Sequence, residues 1–316
     1  MGELAICAAQ ILHGKPVQEA ILEEVGRGVR ALLEGGHRAP RLAAVLVGDD
    51  PASTIYVRSK ARACEKVGID SDTLHFPDST STEELLEQVE RLNAADHVDG
   101  ILVQLPLPEP VDTEMVLDAI DPTKDVDGLH PENVGRLIQG RPRFVPATPA
   151  GIIQLLKRNN ISISGSNAVV IGRSEIVGKP LAALLLHRHA TVTICHSRTR
   201  QLSSVARNAD ILLVAIGRAA MITEDFVKPG ATVIDVGINR VTDRQQIEEI
   251  FADGADWQRY DERGYLVVGD VHPEVRNVAG ALTPVPGGVG LLTIGMLLVN
   301  TLQAARALIQ QAAETG

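Results

Sequence analysis

The sequence predicts an α/β protein of two domains, the second a doubly wound parallel sheet. Three observations predict it. Short apolar runs with strand character alternate with segments of helical apolar spacing. The alternation comes in two series, separated by a Pro- and Gly-rich stretch from about Asp121 to Thr148. The strands of the second series are nearly unbroken Val, Ile, Leu and Ala, the composition of strands covered on both faces.

In the first series, residues 15–35 carry Val17, Ile21, Val25, Val29, Leu32 and Leu33 at helical spacing. RLAAVLVG is a buried strand ending in Gly48, with a turn at Asp49, Asp50 and Pro51. Ser53 or Thr54 is the expected cap of a helix reaching about Val67. TLHF is a short strand. Ser81-Thr82-Glu83-Glu84 opens another helix, its acids suited to the positive end of the helix dipole. VDGILVQLPLP is a strong strand broken by Pro106 and Pro108. The stretch that follows is long for a simple connection and reads as an ordered functional loop.

The second series runs AVVIG, a helix GKPLAALLLHRH, then ATVTIC, ADILLVAIG and ATVIDVG. This is a Rossmann-like pattern, in which ligands bind beyond the carboxyl ends of the strands. A last helix, Leu291 to about Gln311, follows TPVPGG and is expected to pack back on the first domain. The expected boundaries are 1–148 with 284–316 for the first domain and 149–283 for the second.

Composition narrows the function. The 316 residues are 45% hydrophobic and 22% charged, ordinary for a protein with a real core. A net charge of −10 repels phosphate backbones, so no nucleic-acid partner is expected. Cys7, Cys64 and Cys195 are scattered and form no CxxC pair, which supports neither a structural zinc site nor a disulfide framework and fits a reducing compartment. MGELAICAAQ lacks the basic-then-apolar order of a signal peptide. The apolar run from Gly287 stops at Asn300, short of a membrane span. A cytoplasmic protein without membrane contact is expected.

AVVIGRSEIVGKP is not the GxGxxG fingerprint, but its physics is similar. Gly172 permits a tight turn, helix N–H groups near Gly178 point at an anion, and Pro180 suits a first helical turn. A plain strand-to-helix turn would read the same way. The second strand ends Cys195-His196-Ser197-Arg198, without the acid that usually holds a ribose hydroxyl. Arg173, Ser197 and Arg198 suit the additional phosphate of NADP, or else belong to a solvated loop.

Tyr56 and Lys60 lie four apart on one face of a predicted helix. A shielded Lys has a lowered pKa and can move protons, and a Tyr ring can stack on a flat substrate. Such pairs most often mean a surface Lys beside a half-buried Tyr. Short-chain dehydrogenases share the spacing, but there the pair follows the cofactor turn, whereas here it precedes it. Gln104 interrupts an apolar strand at its end, and Asp125 and Asp127 flank a Gly turn. Gln104 and Asp127 can tune Lys60, or be a satisfied amide and a turn acid. No metal-ligand cluster such as HExxH is present, and no metal is expected.

Together VGDDPASTIYVRSKARACEKVGI, DGILVQLPLP, KDVDGLHPENVGRL, PATPAG, VVIGRSEIVGKP, TVTICHSRT, ADILLVAIG, VIDVGIN, GDV and TPVPGGVG resemble the methylenetetrahydrofolate dehydrogenase/methenyltetrahydrofolate cyclohydrolase family. They stand in the family's order over nearly the whole chain. The resemblance implies a homodimer, a folate substrate in a cleft between the domains, and NADP. It implies oxidation of 5,10-methylenetetrahydrofolate, then hydrolysis of the methenyl product to 10-formyltetrahydrofolate. By motif, Lys60 is the key catalytic residue, Tyr56 stacks on folate, and Gln104 and Asp127 support Lys60. Ser53, Val103, Leu105 and the loop Pro286, Gly287, Gly288, Val289, Gly290 line the substrate. Gly172, Arg173, Ser174, Ser197 and Ile238 match cofactor positions.

Three segments depart from the family pattern. Ala147 stands where the family commonly has Cys, Leu291-Leu292 where it usually has Pro-Met, and GDVHPEV lacks the usual acidic and aromatic continuation. None removes Tyr56, Lys60, Gln104 or Asp127, so both activities are expected. A shikimate-type NADP-dependent dehydrogenase, a non-enzymatic NADP sensor and an enzyme keeping one activity are the alternatives.

Overall fold

Residues 9–315 are described by a computed structural model, so Cys7 lies outside the described residues. The chain enters through a two-residue strand β1 (Gln10–Ile11) and helix α1 (Gly14–Glu34). The apolar run of β2 (Arg41–Val47) leads to α2 (Pro51–Val67). The cap of α2 is Asp50, not Ser53 or Thr54. The Asp50 carboxylate accepts from Ser53 N at 2.7 Å, and Pro51 begins the helix. Asp is as good a cap as Ser, and Pro has no N–H to leave unsatisfied at a first helical position.

Next come β3 (Asp70–Phe76) and α3 (Thr82–Ala94), the latter opened by a capping box. Ser81 Oγ accepts from Glu84 N, while Glu84 Oε2 accepts from Ser81 N. Then follow β4 (Gly100–Val103) and α4 (Thr113–Asp118). The stretch expected to be one long loop contains α5 (Pro131–Ile138) and the start of α6 (Ala147–Arg158). His130-Pro131 supplies a cap and a first-turn proline that the Pro and Gly content masked.

The second series is β5 (Asn167–Ile171), α7 (Gly178–Leu186), β6 (Thr191–Cys195), α8 (Leu202–Ala206), β7 (Ile211–Val214) and β8 (Thr232–Asp235). A polar excursion follows: β9 (Asn239–Val241), α9 (Arg244–Phe251), α10 (Trp257–Arg263) and β10 (Leu266–Val268). It packs its own small core of Val241, Ile247, Ile250, Leu266 and Val268, with Trp257 and Tyr260 against it. The chain ends with β11 (Ala281–Leu282) and α11 (Gly290–Thr315).

Two compact units result, each made of two stretches of chain. One unites residues 18–147 with the last helix from Thr293. The other unites residues 9–17 with 148–292. The first unit holds a parallel sheet in the order β3-β2-β4, over a core that includes Val45, Leu85, Val89, Ile101 and Val103. Within it, α11 is tied down by Asn300, whose Nδ2 donates to the carbonyls of Val126 at 2.8 Å and Val145 at 2.9 Å. The window Gly290–Gln311 is long and apolar enough to cross a membrane, but 61% of it is buried inside the protein, which marks a core helix.

The other unit holds a six-stranded parallel sheet in the order β1-β11-β8-β7-β5-β6. From β5 the chain goes outward to β6 and then returns to the other side as β7, so β5 is a topological switch point. The expectation that every strand here is covered on both faces fails for β6. It is an edge strand, and Ile194 is exposed. Composition does not distinguish an apolar edge strand from a central one.

Candidate active site

In the unit built on β2, β3 and β4, the chemistry gathers around one lysine. Ser53, Tyr56 and Lys60 share a face of α2, at spacings of three and four. Lys60 is only 9% exposed, and its Nζ donates to Gln104 Oε1 at 2.8 Å. Gln104 follows the last residue of β4 and is fixed at both ends. Its backbone N–H donates to Val45 O at 2.9 Å, and its Nε2 donates to Leu105 O at 2.7 Å. With its N–H groups so engaged, the amide presents its oxygen to Lys60.

Burial lowers the Lys60 pKa, with the negative charge of Asp127 opposing the shift. Burial raises the Asp127 pKa, with Lys60 opposing and the nearby Asp125 charge adding to the rise. The two groups are therefore electrostatically coupled, each held off its ordinary value by dry surroundings. Asp125 has a different job. Its carboxylate accepts from Leu129 N, His130 N and Asn133 Nδ2, which fixes the turn that carries Asp127. The sequence placed both acids beside a Gly turn and singled out Asp127 for Lys60; the donors around Asp125 show what the other acid does. Cys64, one turn beyond Lys60 and fully buried, has its thiol pushed up to about 11 by burial.

Tyr56 is 38% exposed and leaves ring surface for a ligand. Ser53 is buried. Val103 packs its side chain into the core beneath the sheet, so only its backbone is available to a ligand. Leu105 is half-buried.

In the other unit, the turn after β5 is shaped for close approach. Gly172 has φ +128°, and an added Cβ would collide with the Ala215 carbonyl oxygen. A Cβ on Gly178 would collide with the Gly172 carbonyl oxygen. Ser174 Oγ accepts from Val177 N at 3.2 Å and Gly178 N at 3.3 Å, closing the turn onto α7. Gly172 N donates to Cys195 O at 2.9 Å, so the turns after β5 and β6 are neighbours. Arg173 on the first turn and Ser197 and Arg198 on the second are exposed. Neither arginine side chain has an acidic partner among the described residues. A glycine cradle flanked by free cations fits a dinucleotide that carries an additional phosphate.

Ile238, just beyond β8, is half exposed, an apolar side chain displayed at the carboxyl edge of the sheet. In the loop Pro286 to Gly290, Gly287 has φ +106° and its carbonyl accepts from Gly14 N at 2.8 Å. Pro286 is exposed and Val289 is buried. Of the departures, Ala147 and Leu292 are both buried, and Leu292 packs against Gly151. Asp235, Asn239 and Asp270 organise this edge; they lie within the segments VIDVGIN and GDV, but nothing in those segments alone assigns them a role. Asp235 ends β8, Asn239 begins β9 and Asp270 follows β10, and no helical or strand spacing links them.

Residues 12–127 match the family described as tetrahydrofolate dehydrogenase/cyclohydrolase, catalytic domain. Residues 146–309 match the NAD(P)-binding domain of the same family. The chain is 55% identical over 299 residues to the bifunctional protein FolD of Koribacter versatilis, covering 94% of this chain and 97% of the relative. It is 56% identical to that of Solibacter usitatus, covering 94% and 97%. Among solved structures, it is similar to the bifunctional enzyme FolD of Campylobacter jejuni, with a TM-score of 0.85, 43% identity, and 95% and 99% of the two chains covered. The Trypanosoma brucei methylenetetrahydrofolate dehydrogenase-cyclohydrolase, solved with NADP cofactor and inhibitor, matches with a TM-score of 0.85 and 36% identity over 96% and 99%. The chain therefore belongs to the tetrahydrofolate dehydrogenase/cyclohydrolase family of bifunctional enzymes with an NAD(P)-binding domain.

Proposed function

We propose that the chain oxidises 5,10-methylenetetrahydrofolate with NADP and hydrolyses the methenyl product to 10-formyltetrahydrofolate, with Lys60 as the proton-transfer residue. The observation that carries the assignment to Lys60 is the buried ammonium held by Gln104 Oε1 and coupled to Asp127. A lysine with a lowered pKa loses its proton more readily, and the neutral amine is a base. Lys60 Nζ accepts a proton from the water that attacks the methenyl carbon. It returns a proton to the folate nitrogen as the ring opens, and the remaining hydroxyl proton of the adduct leaves to solvent as the formyl carbonyl forms. Gln104 fixes where Nζ points, and Asp127 favours the charged form between the two transfers. Tyr56 offers a face on which the flat pterin stacks. Ser53, the backbone of Val103 and Leu105, and the loop Pro286 to Gly290 are assigned to substrate.

Hydride transfer asks mainly for positioning, and NADP when bound supplies the acceptor ring. Gly172 and Ser174 form the phosphate turn. Arg173 and Ser197, with Arg198, would hold the additional phosphate. Ile238 would offer its exposed apolar side chain to the cofactor. Family matches across both halves set aside the shikimate-type alternative. A homodimer and a cytoplasmic location complete the reading.

The test is an absorbance assay of the purified protein with methylenetetrahydrofolate and either NADP or NAD. Reduced cofactor with NADP and little methenyl build-up is the expected result. Methenyl accumulation would remove the hydrolytic half of the assignment.

A further inference from the structure

The strongest unassigned feature is a pair of buried carboxylates at the carboxyl edge of the six-stranded sheet. Asp270 is fully buried and follows β10. Its Oδ2 accepts from Ile216 N at 2.7 Å and Gly217 N at 3.0 Å. Its Oδ1 accepts from Arg218 N at 2.8 Å and Asn239 Nδ2 at 2.9 Å. Ile216 to Arg218 is the loop leaving β7, and Asn239 follows Ile238 beyond β8. One carboxylate thus clamps the exits of two neighbouring strands.

Asp270 is itself held. Asp235, the last residue of β8, accepts from Asp270 N at 2.9 Å, Val271 N at 3.0 Å and Gly237 N at 2.9 Å. Gly237 has no room for a side chain, because an added Cβ would collide with the Asp270 carboxylate. Asp235 N donates to Thr283 Oγ1 at 2.8 Å, which joins the pair to the segment after β11. Among the described residues, the polar groups facing Asp270 are therefore backbone N–H groups, one amide and the second acid, with no cation among them.

The clamped loops have a defined place. Gly172, at the switch-point turn, abuts the Ala215 carbonyl just before Ile216. The exits of β5, β7 and β8 thus lie side by side, where a doubly wound sheet binds its ligand. We propose that Asp270 is a positioning residue for the cofactor: it fixes the loop 216–218 and, through Asn239, the exposed Ile238, so that together they form the wall against the cofactor's redox-active ring. The inference rests on the NADP reading above. Four donors on one buried carboxylate hold this wall more rigidly than packing alone, and rigidity is what hydride transfer requires of its surroundings.

The test uses full-length Asp270→Asn and Asn239→Ala. Asp270→Asn keeps the size but turns an amide NH2 toward groups that are themselves donors. Three readouts are taken: KM for NADP in the dehydrogenase assay, the rate of methenyltetrahydrofolate hydrolysis without NADP, and the thermal unfolding midpoint. The expected result is a rise of about tenfold or more in KM for NADP in Asp270→Asn, the scale of one lost hydrogen bond to a charged group. Asn239→Ala gives a smaller rise in the same direction. Hydrolysis stays within about twofold in both, a pattern that general destabilisation would not give. An unchanged KM for NADP in both variants, or parallel loss of the two activities in Asn239→Ala, overturns the proposal. If Asp270→Asn does not fold, Asn239→Ala alone decides. The parent protein is the control: absence of NADP-dependent oxidation there defeats the functional reading, whatever the variants do.

Discussion

Lys60 and Gln104 stand 44 residues apart in the chain and 2.8 Å apart in space, joining α2 to the end of β4. The contact puts an ammonium where water is scarce. Replacing it with an apolar side chain of similar length should therefore separate catalysis from stability. In Lys60→Met, hydrolysis of methenyltetrahydrofolate is expected to fall by at least ~100-fold, the usual scale for a lost proton-transfer group. Thermal unfolding should move little, or move upward, because a buried charge has been removed. Full hydrolysis in a folded Lys60→Met protein would reject the assignment.

The same burial gives a pH dependence with a definite sign. The folded Lys60 pKa lies below its ordinary 10.5. A depressed folded pKa contributes stability above the unfolded pKa, and that contribution is lost as pH falls through the folded pKa. At neutral pH the parent therefore carries the cost of the buried charge, and Lys60→Met does not. The midpoint difference, variant minus parent, should shrink as pH rises from 7 toward 10.5. Hydrolysis by the parent should rise with pH through the folded pKa, and this limb should be absent from Lys60→Met. A midpoint difference that grows with pH would contradict the sign.

Lys124 is a second buried lysine with a lowered pKa, but its role is structural. Its Nζ donates to the carbonyls of Leu92 at 3.2 Å, Asn93 at 2.7 Å and Ala95 at 2.9 Å, which caps the end of α3. Lys124→Met strands these acceptors and should destabilise the protein by about 1–3 kcal/mol. Denaturant unfolding measures the loss. KM values of the folded variant should stay near those of the parent.

Arg173 and Arg198 stand on adjacent turns, linked by the Gly172 to Cys195 hydrogen bond. The double variant Arg173→Ala, Arg198→Ala should raise KM for NADP by about 10–100-fold, as expected when charge-assisted contacts to phosphate are lost. KM for NAD should change little. Equal effects on both cofactors would place the arginines away from the additional phosphate.

Gly172→Ala tests the turn itself. Its φ of +128° and the close Ala215 carbonyl both exclude a side chain. A loss of about 2 kcal/mol or more in stability is expected, together with weakened cofactor binding. Calorimetric titration with NADP and thermal unfolding check the two effects.

The sequence was most informative where one physical rule dominates. Buried strands such as β2, β5 and β7 are apolar runs closed by turn residues, and the capping box at Ser81 is a local pattern. The shared face of Tyr56 and Lys60 follows from helical spacing alone. Tertiary context was less legible. Nothing in ATVTIC marks β6 as an edge strand. The excursion through residues 239–268 has helices of only 8 and 7 residues, too short for periodicity to stand out from a polar background. Asp270 bonds loop groups 52 to 54 residues earlier, a distance at which spacing carries no signal.

Because each unit is assembled from two stretches of chain, the order of synthesis cannot follow the order of folding. The layer around β2, β3 and β4 is translated early, yet the Val126 and Val145 carbonyls wait for Asn300, 174 and 155 residues further along the chain. A nascent chain arrested after β11 would hold a complete run of strands and still lack the helix that closes its first-made layer. Chaperone dependence should therefore persist until α11 has been made, and trimming α11 should harm the layer around β2, β3 and β4 most.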